Sequence, residues 1–273
     1  MDKNLVSVVT VCFNAGKTIR RTMESVLEQT YRPMEYIVID GKSTDETIQI
    51  VAQMASFFKA KGILLRSLSE RDKGIFDAMN KGVRMATGRW INFMNSGDIF
   101  LANDTVERMI TADIGDDVKV VYGDFVRKKM YATIPTKAHT PEDIPALMPS
   151  CHQAMFVDTG EMKAHPFDLQ YRLTADYKFI YDLYMRGGKM LYKPVYVTLY
   201  DAVEGVSSTN KLDVYRECAR IQGVYNTLKW KLSFFNGAIS VFTDRMVQSI
   251  VPTSLLVKAK QINRRRLENR HKK

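Results

Sequence analysis

Four aspartates, Asp40, Asp72, Asp98 and Asp176, are of the type and in the places where this chain could do chemistry. Asp98 follows an apolar run at 90–94 by a few residues and closes the sequence Asn95-Ser96-Gly97-Asp98. A carboxylate there suits Mg²⁺ or Mn²⁺, ions that take oxygen ligands and often share them with substrate phosphates. All four of those residues are also turn formers, so a plain turn accounts for them equally well. Asp40 ends the strand-like segment 36–39, where an Asx-turn or a helix cap is the simpler role. Asp72 lies in Ser69-Glu70-Arg71-Asp72-Lys73, which taken alone is a solvated charged loop. Asp176 falls in the first turn of a helix, where the dipole already favours its charge. Each residue has a structural explanation by itself. Asp40, Asp72 and Asp98 together, at three strand ends, point to a shared site.

The elements that must position them follow from hydrophobic spacing. Residues 5–13 (LVSVVTVCF) form a β-branched run bounded by Asn14-Ala15-Gly16, a buried strand and its turn. Ile19, Met23, Val26 and Leu27 then recur at helical spacing, and the strand at 36–39 follows. Ser43-Thr44-Asp45-Glu46 fits a capping box, which predicts a helix start there with Ile48, Val51, Met54 or Ala55, and Phe58 on its apolar face. A strand at 63–68, a helix at 76–86 and a strand at 90–94 complete the alternation. Such alternation implies βαβ units and a mainly parallel sheet covered on both faces, with ligands beyond the carboxyl ends of the strands. Further on, the spacing predicts strands at 118–125, 152–157 and 191–199, and a helix at 174–186 stopped by Gly187-Gly188. From Asp213 the chain turns helical. One stripe comprises Val214, Cys218, Ile221, Tyr225, Leu228 and Leu232, and a second Phe235, Ile239, Phe242, Met246 and Ile250. We place the boundary after Ser208, giving a domain at 1–208 and a helical extension with a basic tail at 209–273.

Composition narrows the function classes. The chain has 273 residues, 45% hydrophobic and 26% charged, which excludes disorder and a disulfide miniprotein. Its net charge of +10 is concentrated: residues 258–273 hold eight Lys/Arg and one Glu, leaving about +3 for the rest. The three cysteines are far apart, as expected of reduced thiols without zinc spacing. No apolar run reaches the 18 or so residues of a membrane span, and no leader is expected before the first strand, which suggests a cytoplasmic protein. Gly-x-Gly-x-x-Gly is missing, and Gly16-Lys17-Thr18 and Gly41-Lys42-Ser43 both lack the glycine five residues earlier that completes a P-loop, so the dinucleotide and P-loop fingerprints are lost.

Taken together, Thr10-Val11-Cys12-Phe13-Asn14, Asp40-Gly41-Lys42-Ser43-Thr44-Asp45, the stretch SERDKGIFDAMNKGVRMATG (69–88) and Asn95-Ser96-Gly97-Asp98 resemble the inverting family 2 glycosyltransferases of GT-A fold. The likeness resumes at His152-Gln153, Ala175-Asp176-Tyr177 and Gly205-Val206-Ser207-Ser208 and covers roughly two-thirds of the chain. The nearest type is that of bacterial enzymes building capsule, exopolysaccharide or O-antigen units. The resemblance implies an α/β, Rossmann-like sheet flanked by helices. It places Phe13, Asn14, Asp40, Asp72 and Ser96 around the nucleotide, with Asp40 hydrogen-bonding the base, and makes Asp98 the ligand of a Mn²⁺ or Mg²⁺ ion. Asp176 becomes the catalytic base, His152 and Gln153 line the acceptor side, and 205–208 form a loop over the site. Two departures stand out: Ser96-Gly97 replaces acidic residues before Asp98, and Ala175 replaces the acid often found before the base.

The implied reaction is a single inverting displacement, moving a sugar from a nucleoside-diphosphate donor, UDP foremost, to a glycan or lipid-linked acceptor. The metal would neutralise the leaving diphosphate while Asp176 takes the acceptor proton. A thiol–imidazole pair at Cys151 and His152 is disfavoured, because neighbours on a strand point to opposite faces. The second stripe and the basic tail suit an anionic membrane surface at the inner face of the membrane. Nucleic acid is the rival partner for the tail, but no nucleic-acid module is recognisable in the body. A nucleotidyltransferase and a non-catalytic nucleotide-sugar binder are the competing functions.

Overall fold

The computed structural model describes residues 2–130, 132–201 and 209–250. The chain divides into two compact units, Met1–Val126 with Pro135–Tyr200, and Arg127–Ile134 with Asp201–Lys273. The boundary expected after Ser208, the loop 205–208 and the basic tail lie outside the described residues.

The first unit alternates strand and helix: β1 (Asp2–Cys12), α1 (Ile19–Leu27), β2 (Met34–Asp40), α2 (Thr47–Ala60), β3 (Leu64–Ser69), α3 (Ile75–Met85) and β4 (Gly88–Phe93). Along the chain then come β5 (Ile99–Phe100), α4 (Thr105–Met109), β6 (Val118–Lys129), β7 (Ala132–Thr136), β8 (Met155–Asp158), α5 (Thr159–Ala164), α6 (Ala175–Met185) and β9 (Lys189–Asp201), of which residues 127–134 and 201 are counted with the second unit. The strands form one sheet in the order β3-β2-β1-β4-β8-β6-β9-β5, with β7 on β6. The first four are parallel. β8 then enters antiparallel between β4 and β6, so its amino end lies beside the carboxyl end of β4.

Period-two alternation explains why both faces are covered. Val8, Tyr36, Val38 and Trp90 point into one core with Met23, Met54 and Phe58, while Val9, Ile37, Ile39 and Ile91 point into the other with Met79, Val83 and Phe179. All seven residues of β2 are buried. The register puts Cys12, Asp40 and Ser69 in one row across β1, β2 and β3, so three strands end at the same level.

Three local readings change. Residues 152–154 form a single 3₁₀ turn and the strand begins only at Met155. The turn is fixed from outside, because the buried Asn92 amide on β4 donates to the carbonyls of Gln153 and Met155 at 3.0 and 2.8 Å. Helix α2 starts at Thr47 rather than at a Ser43 capping box, since Ser43 is claimed by Asp40 and Asp45 bonds Thr47. In the second unit the predicted stripe at 214–232 is broken: α7 (Lys211–Ile221) stops at a turn with Gly223 and Asn226 at positive φ, and α8 runs over Leu228–Ile250. The two helices pack through Arg216 over the Phe234 ring and Gly237 facing Tyr215. That packing leaves Leu228, Leu232, Phe235, Ile239, Phe242 and Met246 on one face of α8, 47–75% exposed.

Gly82 sets how closely α3 lies on β1, because a Cβ there would come within 2.5 Å of a Val9 methyl. Gly82→Ala is therefore expected to cost about 1–3 kcal/mol through overpacking, measured as a drop in urea midpoint at unchanged m-value.

Candidate active site

The row at the ends of β1, β2 and β3 carries the first part of the site. The Asp40 carboxylate is fully buried and accepts from Ser43 Oγ at 2.5 Å, the Ser43 amide at 3.0 Å and Ser69 Oγ at 2.6 Å. Those bonds fold the 41–43 segment back over the strand end. Asn14, at positive φ, ties the preceding loop to it: its Oδ1 accepts from the Thr44 amide, and its own amide donates to Ser43 Oγ. Asp45 adds a third stitch, accepting from the Gly16 amide. Above this lacework stands Phe13, 64% exposed directly after a strand whose Val6, Val8, Val9, Val11 and Cys12 are buried.

Asp72 lies against the same place. A Cβ on Gly41 would meet Asp72 Oδ2 at 2.9 Å and the Phe13 ring at 3.3 Å, so glycine leaves room for both side chains. Asp72 Oδ1 receives the Lys81 ammonium of α3 at 2.6 Å, and Lys81 also reaches Glu70 at 2.9 Å and the Arg71 carbonyl at 2.8 Å. Burial opposes the charge on Lys81, but its carboxylate partners outweigh burial and hold its pKa above the usual lysine range. An exposed ring beside an anchored carboxylate can stack a planar base and accept hydrogen bonds from hydroxyl or ring N–H groups. Asp40 acts in this arrangement on the loop, with its oxygens turned into the protein.

Asn95-Ser96-Gly97-Asp98 follows β4 and is indeed a turn, with the Asp98 amide donating to the Asn95 carbonyl at 3.0 Å. Gly97 has φ +102°, a region side chains rarely adopt. Thr22 of α1 pins the turn, donating its hydroxyl to the Asp98 carbonyl and accepting from the Gly97 amide. Ser96 pairs its hydroxyl with that of Thr18. The turn also aims a side chain: the Asp98 carboxylate is buried and Oδ2 accepts from Gln153 Nε2 at 2.7 Å. Among the described residues no three His, Cys, Asp or Glu side chains gather as a complete metal cage. One oriented carboxylate fits an oxygen-preferring ion that keeps the rest of its shell from phosphate and water, as Mg²⁺ and Mn²⁺ do.

The 3₁₀ turn that presents Gln153 to Asp98 also presents His152 to Asp176. His152 Nδ1 lies 3.1 Å from Asp176 Oδ2, and Nε2 lies 2.9 Å from Asn95 Nδ2. Asp176 is the second residue of α6 and also accepts from the Tyr177 amide at 2.8 Å. Both ring nitrogens of His152 are thus engaged away from Cys151. Desolvation pushes the Cys151 thiol well above the ordinary range, and burial beside Asp40 does the same for Cys12. The thiol–imidazole pair is thus ruled out by the two bonds of the ring, not by strand alternation, since 151 and 152 sit in a turn.

The residues expected from sequence therefore fall into two groups of the first unit: Phe13, Asn14, Asp40 and Asp72 beyond β1–β3, and Ser96, Asp98, His152, Gln153 and Asp176 around the turns at 94–98 and 152–154. Sequence reasoning missed Lys81, Thr22, Asn92 and Asn95 as positioning groups. Lys81 sits within the 69–88 stretch, but nothing local marks it as the partner of Asp72.

The profile of glycosyl transferase family 2 matches residues 7–172. The chain belongs to that family. A PGL/p-HBAD biosynthesis glycosyltransferase of Mycobacterium tuberculosis is 30% identical over 216 residues, 77% of this chain and 81% of the relative. WfgD of Escherichia coli, a UDP-Glc:alpha-D-GlcNAc-diphosphoundecaprenol beta-1,3-glucosyltransferase, is 35% identical over 125 residues, 46% of this chain and 47% of its own. In fold, the chain is similar to Staphylococcus aureus TarS 1-349 in complex with UDP, with TM-score 0.59 and 18% identity over 91% of this chain and 76% of that one. It is also similar to mannosyltransferase PcManGT of Pyrobaculum calidifontis in complex with GDP-Man and Mn²⁺, with TM-score 0.62 and 15% identity over 94% and 79%. The chain is a glycosyltransferase of family 2 with the GT-A fold.

Lys81→Met leaves the partly buried Asp72 carboxylate without its ammonium partner, a change expected to cost about 1–3 kcal/mol. Denaturant unfolding should show that loss, and adding Asp72→Asn should restore part of it.

Proposed function

We propose that this enzyme transfers a sugar from a UDP-sugar to a hydroxyl of a lipid-linked glycan, inverting the anomeric centre. The observation that carries the reading is the pair of carboxylates Asp98 and Asp176, each held by one of two adjacent residues, Gln153 and His152. Phe13 stacks the base, Asp72 accepts from the nucleoside and Asn14 keeps their loop in place. Asp40 orders the base-binding end and Ser96 the diphosphate end. Asp98 holds a Mn²⁺ or Mg²⁺ ion, which when bound offsets the charge of the departing diphosphate. Asp176 takes the proton of the acceptor hydroxyl as that oxygen attacks. The reading gives Asp176 the role of base, and burial pushes the Cys151 thiol up, so no covalent nucleophile is invoked among the described residues. A single displacement with inversion follows. The choice of UDP is supported by WfgD and by the UDP complex of TarS, and a lipid-linked acceptor by WfgD.

The enzyme works at the inner face of a membrane, docked by its second unit. Among the described residues no helix is long and apolar enough to cross a membrane. The support is instead an exposed apolar face on α8, followed in sequence by the basic residues of 258–273. An apolar helix face next to a cationic segment suits the boundary of an anionic bilayer, where each basic residue adds roughly 1 kcal/mol.

Thermal unfolding with UDP, GDP, dTDP or CDP, each with Mn²⁺ or EDTA, checks the donor site. UDP with Mn²⁺ should give the largest rise in Tm, and Asp98→Ala should abolish its metal dependence. Asp176→Asn should keep that rise and lose turnover about 10²–10⁴-fold; retained turnover would remove Asp176 as the base. Co-sedimentation with phosphatidylglycerol-containing vesicles checks the surface: wild type pellets, Phe235→Glu/Phe242→Glu stays in the supernatant, and wild type in the supernatant sinks the membrane reading.

A further inference from the structure

We infer that His152 is the positioning residue of the catalytic base, with its tautomer set by Asn95. The inference rests on Asp176 being that base and adds a role that acceptor contact alone does not give to His152. Asp176 Oδ2 is an acceptor, so Nδ1 of the ring, 3.1 Å away, carries the proton and donates. Nε2 is then an acceptor, and it meets an amide donor, Asn95 Nδ2, at 2.9 Å. The two bonds fix each other. The orientation of Asn95 has a cost, since its Oδ1 is buried without a hydrogen-bond partner. Turning the amide over would bring that oxygen against Nε2 and require a proton there.

His152 is held on its backbone side as well. The 3₁₀ turn is closed by the Ala154 amide on the Cys151 carbonyl, and Asn92 grips Gln153 and Met155 from β4. The imidazole therefore approaches Asp176, in the first turn of α6, from a fixed support. With Oδ1 on the Tyr177 amide and Oδ2 on His152, the carboxylate plane is set and its remaining lone pairs keep one direction. Asn95 also belongs to the turn that ends in Asp98. Two short links, Asp98–Gln153 and Asn95–His152–Asp176, thus join the donor end and the base end through adjacent residues of one turn. In this geometry His152 holds the base and the reacting proton goes to Asp176.

Side-chain amides separate the two ring nitrogens. An asparagine amide nitrogen sits near the place of Nδ1, and a glutamine amide nitrogen near that of Nε2. With saturating UDP-sugar and metal, His152→Asn should keep kcat within about threefold, whereas His152→Gln and His152→Ala should lower it about 10–100-fold. UDP affinity and the donor KM should stay within twofold for all three. Asn95→Leu should lower kcat too, and Asn95→Leu/His152→Gln should be no slower than His152→Gln alone. Equal losses for His152→Asn and His152→Gln, or losses confined to the acceptor KM, would overturn the positioning role. Full activity in Asp176→Asn would instead show that the reading beneath it is wrong, so the two failures are distinguishable.

Discussion

The direction of β8 is the constraint on which the site depends. Running antiparallel beside β4, it brings its amino end to the edge where β4 ends. A turn placed just before it therefore reaches the loop of Asp98, and Asn92 fixes that turn from below with two buried hydrogen bonds. Such bonds are strong constraints because an unpaired buried carbonyl is costly. Everything around the second carboxylate follows: Gln153 faces Asp98, His152 faces Asp176, and Asn95 completes the link. A β8 in the parallel sense would put its amino end at the opposite edge of the sheet.

The parallel half of the sheet supplies a different kind of rigidity. Three strands end in register, and the loops beyond them are stitched by Asp40, Asn14 and Asp45 to one another rather than to solvent. Asp72 is fixed through Lys81 on α3, itself seated closely on β1 because Gly82 has no side chain. The acidic residues beyond β1–β3 are thus mostly neutralised or satisfied internally, and beside them the Phe13 ring stands exposed.

The second unit obeys the ordinary rule for amphipathic helices on one side and breaks it on the other. α8 packs Phe234 and Gly237 onto α7, yet six large apolar residues remain on its opposite face. A soluble monomer rarely leaves such a contiguous patch exposed. Periodicity reported these residues as apolar but assigned Leu228 and Leu232 to the wrong stripe. The turn at Gly223 and Asn226 resets the helical phase, and spacing cannot carry through such a break.

Sequence alone determined what depends on neighbours along the chain. Period-two runs such as Val8-Val9 and Ile37-Val38-Ile39 demanded a sheet buried on both faces, and the aspartates fell near its strand ends. Motif order was enough to point to the family, and the turn at 95–98 was legible from its residue types. The tertiary structure decided what depends on partners far apart in sequence. Asn95 and His152 are 57 residues apart, Gln153 and Asp98 55, and Asn92 and Gln153 61. None of these bonds has a local signature, so the segment at 152–157 looked like an uninterrupted strand. Nothing in the local sequence marks Lys81 either, and only folding buries it against Asp72. Local sequence fixes the backbone's preferences, but a buried polar group is satisfied only by whatever the topology brings to it.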